Sequence, residues 1–233
     1  MPVRVFIDEH PPPTTGDRLL LAAPEAHYAL RVRRVRAGGQ IELLDGDGGR
    51  WQGTLVNEDP RKTTVEITGT VPPPTPPPSV HLLVGRPDVP ACLELITGAC
   101  ELGVASIRFL TTRFSQPQEP GERRIQKTIR AAMRQSGRPS PPKILPSCTL
   151  EVGLDEAAQL PGVYGAITSE DVATDDVLAP CNLLVGPEGG LDEQELTQLR
   201  ERGWIDQCIS PWVLRTPTAA MALVAKASVL RRP

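Results

Sequence analysis

Aromatic residues are scarce in this chain: three tryptophans, two tyrosines and three phenylalanines make up 3% of it. Its core has to be aliphatic, and a hydrophobic fraction of 39% is enough to build one. Histidine is scarcer, with His10, His27 and His81 alone. The five cysteines, Cys92, Cys100, Cys148, Cys181 and Cys208, form no CxxC pair. Such scattered thiols read as small buried residues rather than as a disulfide framework, a redox motif or a zinc site. No metal is expected. No run of 18 apolar residues exists, so no membrane span is expected. The first ten residues carry charges and lack the apolar centre of a secretion signal. A cytoplasmic protein is the expectation.

Basic residues are missing altogether from one long stretch. Residues 144–195 hold eleven acids and no lysine or arginine, whereas residues 108–143 hold nine lysines and arginines against Glu119 and Glu122. The net charge of -3 hides this asymmetry. A local basic patch, not the total charge, is what a polyanionic partner meets.

With 233 residues the chain suits one large domain or two small ones. Residues 72–78 read Pro-Pro-Pro-Thr-Pro-Pro-Pro, which forms neither helix nor central strand and suits an extended spacer. The expected division is a first domain over 1–71, a linker over 72–79 and a second domain over 80–233. In the first domain, residues 3–7, 40–44, 51–56 and 63–67 have strand character. Residues 45–49, Asp-Gly-Asp-Gly-Gly, read as a hairpin turn. Residues 24–33 suit one short helix. A small β-barrel fits this pattern. In the second domain, strands over 80–85, 105–110, 163–168, 181–185 and 204–209 alternate with helices over 91–102, 122–135, 192–202 and 218–230. That alternation predicts an α/β fold with a parallel sheet covered on both faces.

Val185 leads directly into Gly186-Pro187-Glu188-Gly189-Gly190, and a helix then starts with a full set of signals. Asp192 and Glu195 have capping-box spacing, and Leu191 and Leu196 stand where a hydrophobic staple places them. Ligands of open α/β sheets bind beyond the carboxyl ends of the strands. Taken alone, the loop is equally consistent with a strand-to-helix turn that binds nothing. It lacks the Lys-Ser/Thr of a P-loop, which weakens a nucleotide-enzyme reading. A second loop, from Ile209 through Leu214, Arg215, Thr216, Pro217 and Thr218 to Ala219, also joins a strand end to a helix, with Thr216 or Thr218 as its cap.

Two basic surfaces stand out. Arg31, Arg33, Arg34 and Arg36 cluster before a Gly-Gly pair. On the helix over 122–135, Ile125, Ile129, Ala132 and Met133 form a core-facing stripe. Arg123, Lys127, Arg130 and Arg134 form another stripe, with no acid after Glu122 to neutralise it, and Gln135, Ser136 and Arg138 extend it. Solvated faces of this kind are common, but this one suits phosphate contacts.

The sequence Gly-Pro-Glu-Gly-Gly-Leu at 186–191 and Val-Leu-Arg-Thr-x-Thr-Ala at 213–219 resemble the paired motifs of the 16S rRNA (uracil-N3) methyltransferases, a branch of the SPOUT superfamily. His27 through Arg34, the Glu-Leu-Gly at 101–103 and the Gln-Ser-Gly-Arg at 135–138 match further family segments. The resemblance implies a PUA-like RNA-binding barrel followed by a SPOUT-type α/β domain with a trefoil knot. It also implies S-adenosylmethionine as cofactor, small-subunit 16S rRNA as partner, and a homodimer. The last helix is apolar around much of its surface, at Met221, Leu223, Val224 and Val229, which suits a dimer. The chain departs from the family at Ala91, Gly98, Ala131, Ser210 and Pro217.

By that resemblance the cofactor contacts are Thr168, Val185, Gly186, Pro187, Glu188, Gly189, Gly190, Ile209, Leu214, Thr216, Thr218 and Ala219. The RNA contacts are Arg31, Arg33, Arg34, Arg123, Lys127, Arg130, Arg134, Gln135 and Arg138. Methyl transfer to uracil N3 requires loss of its proton and stabilisation of the resulting anion. Arg215 is the expected electrostatic catalyst, with the acidic stretch at 170–176 as a candidate partner if it is only a loop brace. No residue is identified as the base. Glu188 serves either the ligand or the backbone of its own loop. A non-catalytic RNA-binding relative is the alternative reading.

Overall fold

The computed structural model describes residues 2–8, 11–72, 79–166 and 180–229. Two compact units divide the chain: Met1–Thr75 with Met133–Pro141, and Pro76–Ala132 with Pro142–Pro233. The proline spacer at 73–78, Thr168, the acidic stretch at 170–176 and Leu230 lie outside the described residues.

The first unit is a five-stranded sheet of β1 (Val3–Phe6), β2 (Arg18–Leu20), β3 (Gln40–Leu44), β4 (Arg50–Leu55) and β5 (Thr64–Thr70), in the order β1-β3-β4-β5-β2. Only β1 and β3 pair in parallel; the other pairs are antiparallel. The hairpin at 45–49 joins β3 to β4, and Asp45 Oδ1 accepts the N–H groups of Asp47 (2.7 Å) and Gly49 (2.9 Å). β2 was not evident in the sequence, since three residues are too few for an alternating pattern. The expected single helix at 24–33 is instead α1 (Ala23–His27) followed by one π-helical turn, Tyr28–Val32. Val5, Leu21, Ala29, Leu43, Trp51, Leu55 and Ile67 fill the core. Glu42 is buried as well, braced by Arg4 Nε (2.8 Å) and Arg50 Nε (2.7 Å).

The second unit is an all-parallel, six-stranded sheet. Its strands are β6 (Val80–Gly85), β7 (Ser106–Thr111), β8 (Lys143–Thr149), β9 (Gly162–Ala166), β10 (Cys181–Val185) and β11 (Ile205–Cys208), ordered β11-β9-β10-β6-β7-β8. Helices α2 (Val89–Glu101), α3 (Glu122–Ser136), α4 (Leu150–Glu156), α5 (Glu193–Glu201) and α6 (Thr216–Val229) complete the chain. The last residues of α3, from Met133, cluster with the first unit. Helix α6 lies against α2 and strands β6, β9 and β10, while α4 lies against β7, β8 and α5. Leu83, Leu110, Leu154, Tyr164, Leu184 and Leu199 form one apolar layer. β8 and α4 were missed in the sequence. β8 is an edge strand interrupted by Pro146, which only an edge tolerates, and α4 has just seven residues.

The chain moves from β6 outward to β7 and β8 on one side, and from β10 past β9 to β11 on the other. The carboxyl ends of β6 and β10 are therefore a topological switch point, the usual place for a ligand in such sheets. Residues 167–179, between β9 and β10, lie outside the described residues. Burial pushes the Cys92 thiol up to about 12 and the Cys181 thiol up to about 11, so both stay protonated and inert at neutral pH.

Candidate functional site

The loop at 186–190 leaves the carboxyl end of β10, and α5 begins with the capping box read from the sequence. Asp192 Oδ1 accepts the Glu195 N–H and Glu195 Oε2 accepts the Asp192 N–H, each at 2.9 Å. Leu191 and Leu196 both pack against the apolar layer. Glu195, itself buried, also accepts the Arg113 N–H at 2.8 Å through Oε1. That third bond ties the loop after β7 to the start of α5, a link between residues 82 positions apart that no local pattern reveals.

Two glycines are required here by close approach. Gly85 ends β6, and a Cβ on it would overlap the Pro187 ring. Gly189 lies under Phe114, with the built Cβ position 2.7 Å from Phe114 Cβ. Gly190 adopts φ +74°, a conformation that suits glycine. Gly186 and Gly190 are half-buried, Val185 and Pro187 are buried, and Glu188 is exposed. Glu188 Oε1 accepts the Asp88 N–H at 3.4 Å, a long bond across to the loop after β6. This carboxylate therefore reaches the backbone of a neighbouring loop, not of its own.

The second loop leaves the end of β11. Ile209 and Leu214 are half-buried, and Thr218 is exposed near the start of α6. Thr216 is 2% exposed, and its hydroxyl donates to the Gly186 carbonyl at 3.1 Å. The expected helix cap thus has a different use: it joins the two motif loops. Ala219 donates its N–H to Arg215 O at 2.9 Å, which starts the helical ladder. Pro217 is the second residue of α6, where its missing N–H costs nothing.

Arg215 is paired with Glu94 of α2, at 3.0 and 3.2 Å. Sequence reasoning placed its structural partner in the acidic stretch at 170–176; the observed carboxylate belongs to another helix, 121 positions upstream. Both partners are exposed, at 71% and 51% of their side chains, so the guanidinium is at the surface beside the second loop.

The basic residues separate into two groups. Arg123, Lys127 and Arg130 are exposed on α3; Arg31 within the π turn and Arg33 and Arg34 just after it are exposed too, Arg34 with φ +55°. Arg134 is different. The stripe on α3 has no acid of its own, yet Arg134 Nη2 donates to both Glu25 oxygens at 2.6 and 2.7 Å. Its guanidinium also lies 4.2 Å from the Tyr28 ring centroid. Helical periodicity cannot report a partner 109 residues away. Gln135 stays exposed, while Arg138 Nε donates to Ser140 O at 2.6 Å. Gly137 adopts φ +79° and donates its N–H to Met133 O at 2.8 Å, closing α3. Arg4 donates to the carbonyls of Arg134 (3.1 Å) and Gln135 (2.9 Å), capping the same helix end.

A recess of about 170 Å³ opens at the opposite, amino-terminal edge of the sheet, beside His81, Ser106, Arg108 and Asn182. Several of its polar groups are committed to the protein. His81 Nδ1 meets Ser106 Oγ at 2.8 Å, Asn182 donates to Ala157 O, and Arg108 pairs with Glu156. It is separate from the loops that carry the paired motifs. Among the described residues no group of three His, Cys, Asp or Glu could hold a metal ion. No described helix is long and apolar enough to cross a membrane.

Known proteins share both halves of the chain. The family model described as RNA methyltransferase domain matches residues 74–228, and that described as RNA methyltransferase PUA domain matches residues 21–68. Ribosomal RNA small subunit methyltransferase E of Aquifex aeolicus is 28% identical, over 90% of this chain and 93% of its own length. The protein of the same name from Mycobacterium bovis is 29% identical, over 94% and 88%. Among solved structures, the Neisseria gonorrhoeae methyltransferase E bound to S-adenosyl methionine superposes with TM-score 0.81 at 25% identity, covering 97% of this chain and 96% of that one. A Legionella pneumophila methyltransferase in complex with SAM has the same fold, with TM-score 0.83 at 23% identity and 98% of each chain covered. With a PUA-like first unit, a parallel α/β second unit and both motif loops at one sheet edge, the chain belongs to the ribosomal RNA small subunit methyltransferase E family.

Proposed function

We propose that this protein transfers a methyl group from S-adenosylmethionine to N3 of a uridine in the 16S rRNA of the small ribosomal subunit. It does so as a cytoplasmic homodimer that needs no metal. The observation that carries this reading is the bond from Thr216 to the Gly186 carbonyl, which holds the two motif loops together at the ends of β10 and β11, on either side of β9.

The residues present fit the cofactor. Glycine-rich backbone at 186–190 leaves room for close approach of a ligand. Half-buried Ile209 and Leu214 offer an apolar surface to a purine ring. Val185, Pro187 and Ala219 complete the proposed lining, with Glu188 and Thr218 at the rim. When bound, the sulfonium cofactor supplies an electrophilic methyl group. The protein's share is positioning and electrostatics. The N3 proton would pass to solvent water, and a cation of this chain would stabilise the uracil anion that receives the methyl group. Arg215 is that cation. His81 stands at the amino-terminal edge of the sheet, away from these loops, and is not the base.

The RNA is held by Arg123, Lys127, Arg130, Gln135 and Arg138 in one region and by Arg31, Arg33 and Arg34 in another. Arg134 has a supporting place, since its guanidinium is committed to Glu25. Replacing Arg123, Lys127 and Arg130 together by glutamine should weaken RNA binding at low salt. It should also flatten the dependence of affinity on salt by up to about three counterions. An unchanged salt slope in filter-binding or polarisation titrations refutes the assignment.

The function itself is tested with purified protein. The expected results are a dimer mass by light scattering, a heat of S-adenosylmethionine binding, and 3-methyluridine in digested 16S rRNA from unmodified small subunits. A folded sample that binds cofactor but forms no 3-methyluridine overturns the reading in favour of a non-catalytic RNA-binding relative.

A further inference from the structure

We propose that Trp212 is a stacking surface for an unstacked base of the RNA substrate. The inference rests on the methyltransferase reading and adds a specificity-determining residue to it. Methylating a ring nitrogen that lies inside a base pair requires the base to leave its stack. RNA-binding proteins hold such bases against aromatic rings.

This chain has eight aromatic residues with which to do so. Phe6, Trp51, Phe109, Tyr164 and Trp204 are buried in the cores. Tyr28 is covered by the Arg134 guanidinium. Only Phe114, at 44% exposure, and Trp212, at 77%, present a ring to solvent. Both stand after carboxyl ends of strands of the parallel sheet, the edge that carries the proposed cofactor loops. Phe114 is partly used, since its base rests on Gly189 and its ring lies 5.7 Å from the Arg113 guanidinium. Trp212 is within the second motif loop itself, between Ile209 and Leu214. Its backbone N–H donates to Ser210 Oγ at 3.0 Å, which fixes the turn that carries the ring.

A large apolar side chain left this exposed gains nothing for the fold. Arg113 and Arg215, close to the two rings in sequence, are 67% and 71% exposed; each has an acid partner, Asp192 at 3.8 Å and Glu94 at 3.0 Å, that a phosphate of the RNA would displace. A base would stack on an exposed indole face carried by the same loop as Arg215, and base–aromatic stacking of this kind tolerates any base.

The chain carries three tryptophans, of which Trp51 and Trp204 are buried, so Trp212 is the one quenchable emitter. Short oligouridylate should quench the indole emission of the full-length protein, and the quenched component should vanish in Trp212→Phe. In methylation assays on small subunits, Trp212→Ala should raise KM for the subunit roughly tenfold or more. Trp212→Phe should recover most of that loss. Both variants should keep the wild-type heat of cofactor binding and the wild-type mass. A Trp212→Ala protein with unchanged KM overturns the proposal. So does quenching that persists in Trp212→Phe, or a change of mass in Trp212→Ala, which would assign the ring to a second copy of the chain. If the wild type shows no methylation but the Trp212-dependent quenching is present, the base-stacking role stands and the methyltransferase reading falls.

Discussion

Arg215→Ala should lower the methylation rate at saturating substrates by about a hundredfold while leaving melting temperature and cofactor affinity close to wild type. Arg215 is 71% exposed without RNA, so the bound RNA has to cover it; once water is excluded there, a cation where charge develops contributes on the order of 3 kcal/mol to the barrier. The same side chain contributes little to the fold. Its pair with Glu94 is exposed on both sides, 71% and 51%, and exposed pairs stabilise by about 0–1 kcal/mol. A structural role and a catalytic role therefore predict different things. Loss of cofactor binding, or a melting temperature lowered by many degrees, makes Arg215 a brace for the second loop. Glu94→Gln separates the partners without removing the guanidinium. If Glu94 only parks Arg215 at the surface, that variant keeps its rate within about tenfold of wild type. A loss as large as that of Arg215→Ala shows that Glu94 aims the guanidinium.

Much of this site was legible because its signals are local. The capping box of Asp192 and Glu195, the staple of Leu191 and Leu196, and the strand that delivers residues 186–190 are each written within a few consecutive residues. The fold class followed from alternating periodicities in the same way. What stayed hidden is made of contacts between distant segments. The hydroxyl of Thr216 reads as a helix cap but is spent on Gly186, 30 positions earlier. Glu195 reads as half of a capping box but also holds the Arg113 N–H. Arg134 has the spacing of a surface stripe but is drawn to Glu25 in the first unit. β8 and α4 were invisible for another reason. Pro146 breaks the strand pattern, and seven residues give too few turns for a helical one. The departures from the family pattern gain partial accounts. Gly98 meets Met221 of α6 so closely that a Cβ would overlap its sulfur, so the small residue belongs to helix packing. Pro217 suits the first turn of α6. The structure offers no account of Ala91, Ala131 or Ser210.

The pair formed by Glu25 and Arg134 should prove one of the most sensitive points of the first unit. Glu25 is 7% exposed, and its carboxylate accepts two bonds from Arg134 and the Phe6 N–H at 3.0 Å. Arg134 lies over the rings of Tyr28 and Phe6, at 4.2 and 5.5 Å to their centroids. Removing one member of such a pair leaves the other charge without its partner, at a cost of about 3–5 kcal/mol. Glu25→Ala also removes the carboxylate that accepts the Phe6 N–H of β1. The expected result is a melting transition lowered by roughly 10 °C or more in calorimetry. RNA affinity should fall with it, because Gln135 and Arg138 follow directly on the helix end that Arg134 anchors. Cofactor binding, which belongs to the second unit, should be retained below that transition. The reciprocal variant Arg134→Met removes the charge but keeps an unbranched side chain against the two rings; it should be destabilised less than Arg134→Ala. A wild-type melting temperature in Glu25→Ala, with RNA affinity reduced only in Arg134→Ala, would return Arg134 to the RNA-contacting stripe on which its helical spacing first placed it.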